Sequence, residues 1–537
     1  MKKVLVVLMF VMLVGSFVSG FDYVISDTRQ CALPIPLPAK PAQGVLYNDT
    51  CFNTEIVRLT DAETESNVTD GYDAVMLRYA KFSPENADGT RVLLQQRYGT
   101  GQASSWRWAL YNVDKNSPDC YSEIRHDINF GLWDTLEPRW DPEDPNIIWH
   151  TREMGLYFYN ISDNIDNLYR NFIGDFPVAA TYFYTDDEGR PSYDNRYWAW
   201  ILRDSGVAHY PFGTNAGIFT YDKDAEINGI ADTDGKPGEI VGFLDNNTLY
   251  DRHGSLNWIS VSLNGEKVVI GSGQGTYGTG SYDLDFSNPV YMSDPGTNHL
   301  DLAINAEGDE VITGYRMGLG EYYMVGDLNT GVKTRLLRQP WPNSDGGLTY
   351  GHISGVNSYN KPGWALFSSY GCPSDPTARC HNYNSFDCNL IFLMELKDVG
   401  HEGYTTPDNV PRIWQLAYSN SNVDGCYNAM PMATMNMLGT RVYFKSSWEW
   451  PCDGETGCGV PGSDDVIDTY IIELPETWYE DLSGNITNYH DADLDHDLVI
   501  NRTEIDSYVQ RWKGDMTLSL SDIIEAIGIW KAGGTYS

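Results

Sequence analysis

One short pattern recurs along this chain and limits what it can fold into. An apolar run leads into a tight turn, a second apolar run follows, and then an aromatic strand ends in Asp or Asn. The turns read SPENADGT at 83–90, SLNGE at 262–266, NAEGDE at 305–310 and NMLGT at 436–440. Each carries Gly or Asn, the residues that accept a positive φ. The fullest copy is 136–161, LEPRWDPEDPNIIWHTREMGLYFYNI. Strand, turn, strand, polar tip and strand is most of one four-stranded unit, and a lone unit of that size cannot bury both faces of its sheet. Copies begin at 74, 123, 177, 239, 300, 351 and 426. Repeated units of roughly 40 to 70 residues are how repeat architectures show themselves in sequence. The expected fold is mainly β, a seven-bladed β-propeller over 74–478. Six blades, eight blades or a pair of sandwiches are the alternatives.

Composition agrees with strands. The 537 residues include 16 Trp and 36 Tyr, residues that favour a pleated, half-buried surface. Acidic residues outnumber basic ones by 74 to 36, for a net charge of −38. Such a chain repels nucleic acid, and a polyanion unless cations intervene. No Walker, Rossmann, GxSxG or HExxH motif is present, so nucleotide binding has no support.

Residues 1–20 read as a signal peptide: Lys2 and Lys3, an apolar run over 4–14, then small residues at 18–20. An uncleaved anchor is the alternative. Residues 21–73 begin Pro-rich and read as an N-terminal arm. Six sequons, at Asn48, Asn67, Asn160, Asn246, Asn485 and Asn501, fit a secreted or cell-surface glycoprotein. Nine cysteines in an exported chain imply disulfides. The expected pairs are Cys31–Cys51 and Cys452–Cys458, each closing a short loop with Pro or Gly. Cys372 is expected to pair with Cys380 or Cys388, and one cysteine is left over.

A polar stretch at 476–488 leads to a different kind of segment, 485–537. Its apolar residues fall at helical spacing: Ile505, Tyr508, Val509 and Trp512, then Ile523, Ile524, Ile527 and Trp530. Before the first helix stands DLDHDLVINRTE, residues 493–504. Oxygen ligands fall at Asp493, Asp495, Asp497, Asn501 and Glu504, with the Val499 carbonyl between them, the spacing of a calcium loop. Leu498 stands where Gly normally allows a positive φ, a strain of about 1 kcal/mol. The segment resembles the dockerin-like calcium repeat of secreted proteins. That resemblance implies a docking module, with one strong calcium site because the second half lacks the alternating acids.

The strand-rich part resembles oligogalacturonate-lyase-like and TolB-like propellers. The resemblance rests on 136–146 (LEPRWDPEDPN), 282–289 (YDLDFSNP), 299–305 (HLDLAIN), 359–370 (YNKPGWALFSSY) and 469–475 (TYIIELP). For the lyases it implies a divalent metal held by His side chains on one propeller face, with a His or Arg removing a sugar proton. His253, His299 and His352 each stand at the start of a unit, near the expected central channel, and are the catalytic candidates. Asp301, sharing a strand face with His299, and Trp364 are the substrate-binding candidates. Trp106, Trp108 and Trp258 could also stack on sugars or pack the core. Met432 occupies the place where the resemblance expects another His, and a thioether is a poor ligand for a hard ion.

Two function classes follow. One is a non-catalytic secreted or surface protein that binds carbohydrate or protein, with a calcium-binding tail. The other is a metal-dependent polysaccharide lyase acting by β-elimination on a uronate polymer. The tail makes the first prediction: the full chain binds one calcium ion by titration calorimetry, and Asp493→Ala removes that binding. Unchanged calcium binding in the variant would unseat the loop assignment.

Overall fold

The computed structural model describes residues 38–479 except 69–72, 100–104, 129–136, 187, 205–214, 226–235, 254, 275–277, 293–298, 316–321, 339–350, 370–388, 398–410, 422–428 and 449–465. The chain divides into two units. One comprises 1–22 with 477–537, of which only 477–479 are described; the other is 23–476 and holds every sheet of the described residues. The expected leader and calcium loop therefore lie outside the described residues.

The described part of the larger unit is mainly β and propeller-like. Its strands form one ten-stranded sheet and five four-stranded sheets, almost wholly antiparallel. Taken in chain order they make seven groups. Group one is Asp73–Met76, Arg91–Gly99, Ser105–Asn112 and Ser122–Ile128; group two is Arg139–Trp140, Ile147–Arg152, Gly155–Asn160 and Ile165–Asn171. Group three is Tyr182–Tyr184, Tyr197–Arg203, Asn215–Asp222 and Glu239–Asp245; group four is Ser255–Val261, Lys267–Gln274, Gly280–Asp283 and Val290–Tyr291. Group five is Asp301–Ile304, Glu310–Tyr315, Tyr322–Asp327 and Lys333–Arg338; group six is Gly351–Ser354, Trp364–Ser369, Leu390–Glu395 and Ile413–Tyr418. Group seven takes Thr434–Met435, Arg441–Ser446 and Val466–Glu473 from the end of the chain, and Thr54–Arg58 with Leu46–Asp49 from its beginning. A two-residue parallel contact, Val466 with Asp73 and Ile467 with Ala74, joins groups seven and one into the ten-stranded sheet.

The recurring turns all join the first strand of a group to its second. In each, the Gly amide donates to a carbonyl three residues back: Gly89 to Asn86, Gly265 to Ser262, Gly308 to Asn305 and Gly439 to Asn436. These glycines have φ between 70° and 91°, where a Cβ would be strained. The Asn86 and Asn436 side chains each accept two further backbone N–H groups, which fixes the hairpin geometry locally.

Burial explains how the groups stack. Trp364–Ser369, Leu390–Glu395 and Ile413–Tyr418 are buried at every position. A sheet with one wet face would alternate, so these strands are covered on both faces. The covering comes from the neighbouring groups. Trp149 and Leu156 of group two pack with Trp198 and Phe219 of group three. Ile201 of group three packs with Ile259 and Val268 of group four, and Trp258 with Ile312 of group five. Val325 of group five meets Phe367 and Phe392 of group six, where Phe52 also packs. Tyr443 and Ile471 of group seven return to Val92 and Leu94 of group one. At the outer edge the character changes: in Ile165–Asn171 only Arg170 is buried.

The sequence places 21–73 outside the sheets as an arm, yet Thr54–Arg58 is a paired strand between Leu46–Asp49 and Val466–Glu473. A buried charge cluster seals it. The Asp468 carboxylate receives Lys40 at 2.6 Å, Arg58 Nε at 3.0 Å, Thr60 Oγ1 at 3.1 Å and the Ala62 amide at 2.8 Å. Removing one partner of a buried pair leaves an uncompensated charge, at a cost of about 3–5 kcal/mol. Asp468→Ala is therefore expected to lower unfolding stability by that amount in a denaturant titration. A loss under about 1 kcal/mol would show that the ends of the chain are held by something else.

Candidate functional site

The first strands of the groups start at one end of the sheets, the leading end, and turn back at the other, the turn end. Side chains meet at the leading end from groups that are distant in sequence. His352 sits in Gly351–Ser354 and His299 just before Asp301–Ile304, and their rings lie 4.7 Å apart, edge to face. Tyr79 comes from the segment after Asp73–Met76. Its ring is 5.1 Å from His352, and its hydroxyl is 3.1 Å from His299 Nδ1. The same hydroxyl donates to Glu188 Oε1 at 3.3 Å. Because one hydroxyl carries one proton, that assignment makes His299 Nδ1–H the donor to Tyr79, a chain running His299–Tyr79–Glu188. Lys81 pairs with Glu188 at 2.8 Å and lies 4.4 Å from the centre of the Trp258 ring. The indole is itself locked, since it lies so close over Gly271 that a Cβ there would come within 2.2 Å.

The site is electropositive and dry. Burial pushes His299 down to about 4, helped by the Lys81 charge. Burial also holds His352 well below the usual imidazole range, with His299, Lys445 and Lys81 acting in the same direction. Lys445, on Arg441–Ser446, is lowered to about 7 by burial and then by Arg78, and its Nζ is 3.8 Å from Met76 Sδ. Desolvation penalises each charged form, and neighbouring cations add to the penalty. Two lysines thus stand beside neutral imidazoles, with Arg78 next to Lys445 and Glu188 paired to Lys81. Met432, in the left-handed region at φ 41°, is buried against Tyr79, Ala80 and Phe82. Such an outlier persists only where its surroundings over-determine it.

The remaining sequence candidates lie elsewhere. His253 is not brought to the pair: it ends the helix Asn246–His253, and its nitrogens meet Gly278 O at 2.9 Å and the Tyr282 hydroxyl at 2.5 Å. The helix turns its ring into the third strand of group four. Asp301 accepts from the Gly355 amide at 2.7 Å and faces Arg190 at 3.4 Å, tying group five to group six. Trp364 is buried in a second strand, with Arg412 over its ring. Trp108 and Trp258 are buried, and Trp106 packs against Ala74 and Ile467. Cys51 is disulfide-bonded and Cys120 is a free thiol. Cys31, Cys452 and Cys458 lie outside the described residues, as do Asp493, Asp495, Asp497, Val499, Asn501 and Glu504.

The described residues do not compose a site for a divalent ion. Two imidazoles meet, His253 is absent, and the further neighbours are a thioether and cationic amines, which repel a metal ion. Among the described residues no group of three His, Cys, Asp or Glu is placed to share one ion. Tyr79, Lys81, Glu188 and Lys445 belong to none of the sequence motifs. A signal was present for two of them: a lysine inside an apolar run, in MLRYAKF at 76–82 and RVYFKSSW at 441–448.

No family model matches the chain, and no curated protein does. Solved structures do. An oligogalacturonate lyase in complex with manganese is 11% identical over 81% of this chain and 96% of that one, at a TM-score of 0.46. An oligogalacturonate lyase from Vibrio parahaemolyticus is 11% identical over 81% of this chain and 97% of that one, at a TM-score of 0.48. A putative TolB from Agrobacterium tumefaciens is 12% identical over 48% of this chain and 80% of that one, at a TM-score of 0.29.

Lys445 makes a prediction about stability. The unfolded chain keeps this proton to about pH 10.5, whereas the folded protein releases it near 7. Between those values the unfolded state binds more protons, so stability rises with pH; below 7 the penalty is complete. Lys445→Met should therefore raise the thermal midpoint at pH 6, with the gain shrinking as pH rises from 7 towards 9. A gain independent of pH would contradict the assignment.

Proposed function

We propose that this is a non-catalytic binding protein, secreted or displayed on a cell surface, that takes an anionic group of a carbohydrate or protein ligand at the leading end of a seven-bladed propeller. The seven strand groups would be the blades, with group seven closed by the strand Thr54–Arg58. The observation that carries the reading is the gathering of Lys81 and Lys445 beside His299 and His352, with Arg78 next to Lys445, in a chain whose net charge is −38. Positive groups held in a buried site inside an acidic molecule serve a local anion, since the wider field repels one. Supplied by lysines, that charge needs no metal. The leader at 1–20 supports export, and the loop at 493–504 supports a calcium-tied module at 485–537 for attachment.

A second reading, β-elimination on a uronate, is favoured by the His299–Tyr79–Glu188 chain, which could hold or move a proton beside a neutralised carboxylate. One experiment addresses both readings. An oligouronate and a neutral oligosaccharide are titrated into the protein at pH 6 and pH 8.5. Binding of the oligouronate alone is expected, at least tenfold weaker at the higher pH as Lys445 discharges, and at least tenfold weaker in Lys81→Gln. Equal binding of the neutral sugar would end the first reading. New absorbance from an unsaturated product would favour the second.

A further inference from the structure

The turn end of the sheets differs in chemistry from the leading end, and it displays a fixed aromatic pair. Tyr193, on the turn 191–196 of group three, stacks on Tyr359, which ends the short helix Val356–Tyr359 of group six. Their ring centres are 3.8 Å apart and their planes 8° from parallel. The pair is held from three sides. The Tyr193 amide donates to Leu263 O at 2.9 Å, and Asn360 Nδ2 donates to the Tyr193 hydroxyl at 2.6 Å and to the Met437 carbonyl at 2.8 Å. A Cβ on Gly439 would come within 2.8 Å of Lys361, so the turn 436–440 of group seven lies alongside. Tyr359 keeps 41% of its surface exposed, and Leu438, in that turn, 45%. The turns of the first five groups each add an exposed carboxylate: Asp88, Glu143, Asp194, Glu266 and Glu307. The cations on the seven turns are Arg196 and Lys361, and Arg196 is taken by Asp222 at 2.8 Å.

We infer that the turn end is an interaction surface for a basic, arginine-bearing protein segment, with one guanidinium on Tyr359 and Leu438 and further cations against the surrounding carboxylates. Charge complementarity selects this occupant. An exposed aromatic centre inside a polar rim is the usual build of a protein interface. Here the rim is acidic, which repels a polyanion or an anionic membrane and draws a cation. Carboxylates on five separate turns are too widely spread for one small cation, whereas a peptide brings several at intervals. Arginine fits better than lysine, because its guanidinium is planar, weakly hydrated and stacks on aromatic faces. Hydrogen bonds already fix the Tyr193–Tyr359 pair, so little ordering cost remains at binding.

The test titrates a blocked heptapeptide of alternating Gly and Arg into the full chain by calorimetry, beside the same peptide with Lys and with Gln. Salt is kept at about 0.15 M, where attraction between exposed charges beyond about 8 Å is screened. Saturable binding of the Arg peptide is expected, with the Lys peptide at least threefold weaker and the Gln peptide at least tenfold weaker. Tyr359→Ala should weaken the Arg peptide at least fivefold and abolish its advantage over Lys. The double variant Glu266→Gln with Glu307→Gln should weaken it at least threefold. The matching double variant at the leading end, Glu153→Gln with Asp251→Asn, should leave it within twofold. If Tyr359→Ala does not fold, the two double variants decide. The inference is overturned by equal affinity for the Arg peptide and either of the others, by unaltered affinity in a folded Tyr359→Ala, or by equal weakening in the two double variants. Because Tyr359 is at the turn end, oligouronate binding at the leading end is read separately.

Discussion

The structure depends on the joining of its two ends. Val466–Glu473 is a strand of the last group, and it lacks an outer neighbour until Thr54–Arg58 arrives from the beginning of the chain. Asp468 then lies buried under Lys40, Arg58, Thr60 and the Ala62 amide. A carboxylate taken out of water needs that many partners to be tolerated. The same strand touches Asp73–Met76 of group one, so one element ties the first group, the last group and the N-terminal segment together. Loop-closure entropy for contacts of this separation is large and is offset only when all of them form at once.

With the ends joined, the first strands of six groups can present side chains to common ground, and the two ends of those strands differ. The turn end is built from hairpins stabilised by their own Asn and Gly residues. There Arg139 and Arg190 share a largely apolar cavity. At the leading end, lysines stand close enough to depress the protonation of the imidazoles. Lys81 belongs to both, lining the cavity while pairing with Glu188.

The metal expected from the lyase resemblance depends on three imidazoles converging. Two do, and the third is diverted by a single helical element, Asn246–His253. What gathers instead is amine and guanidinium charge. Desolvation and these neighbouring charges hold the imidazoles neutral there.

Much of the local architecture is determined by sequence alone. In 136–161 the strands Arg139–Trp140, Ile147–Arg152 and Gly155–Asn160 stand where Pro, Asp and Asn punctuate the apolar runs, and the Gly-containing turns fall between first and second strands, because turn chemistry acts over four residues. Two matters are decided only by tertiary structure. Residues 54–58 carry no mark that distinguishes a closing strand from an arm, since the partner lies some four hundred residues away and pairing is set by register, not by composition. The meeting of Tyr79, Glu188, His299 and His352 is likewise invisible along the chain. Each is an isolated polar residue in its own segment, and only the packing of group upon group decides which of them share a dry, electropositive space and which, like His253, are spent on a hydrogen bond at home.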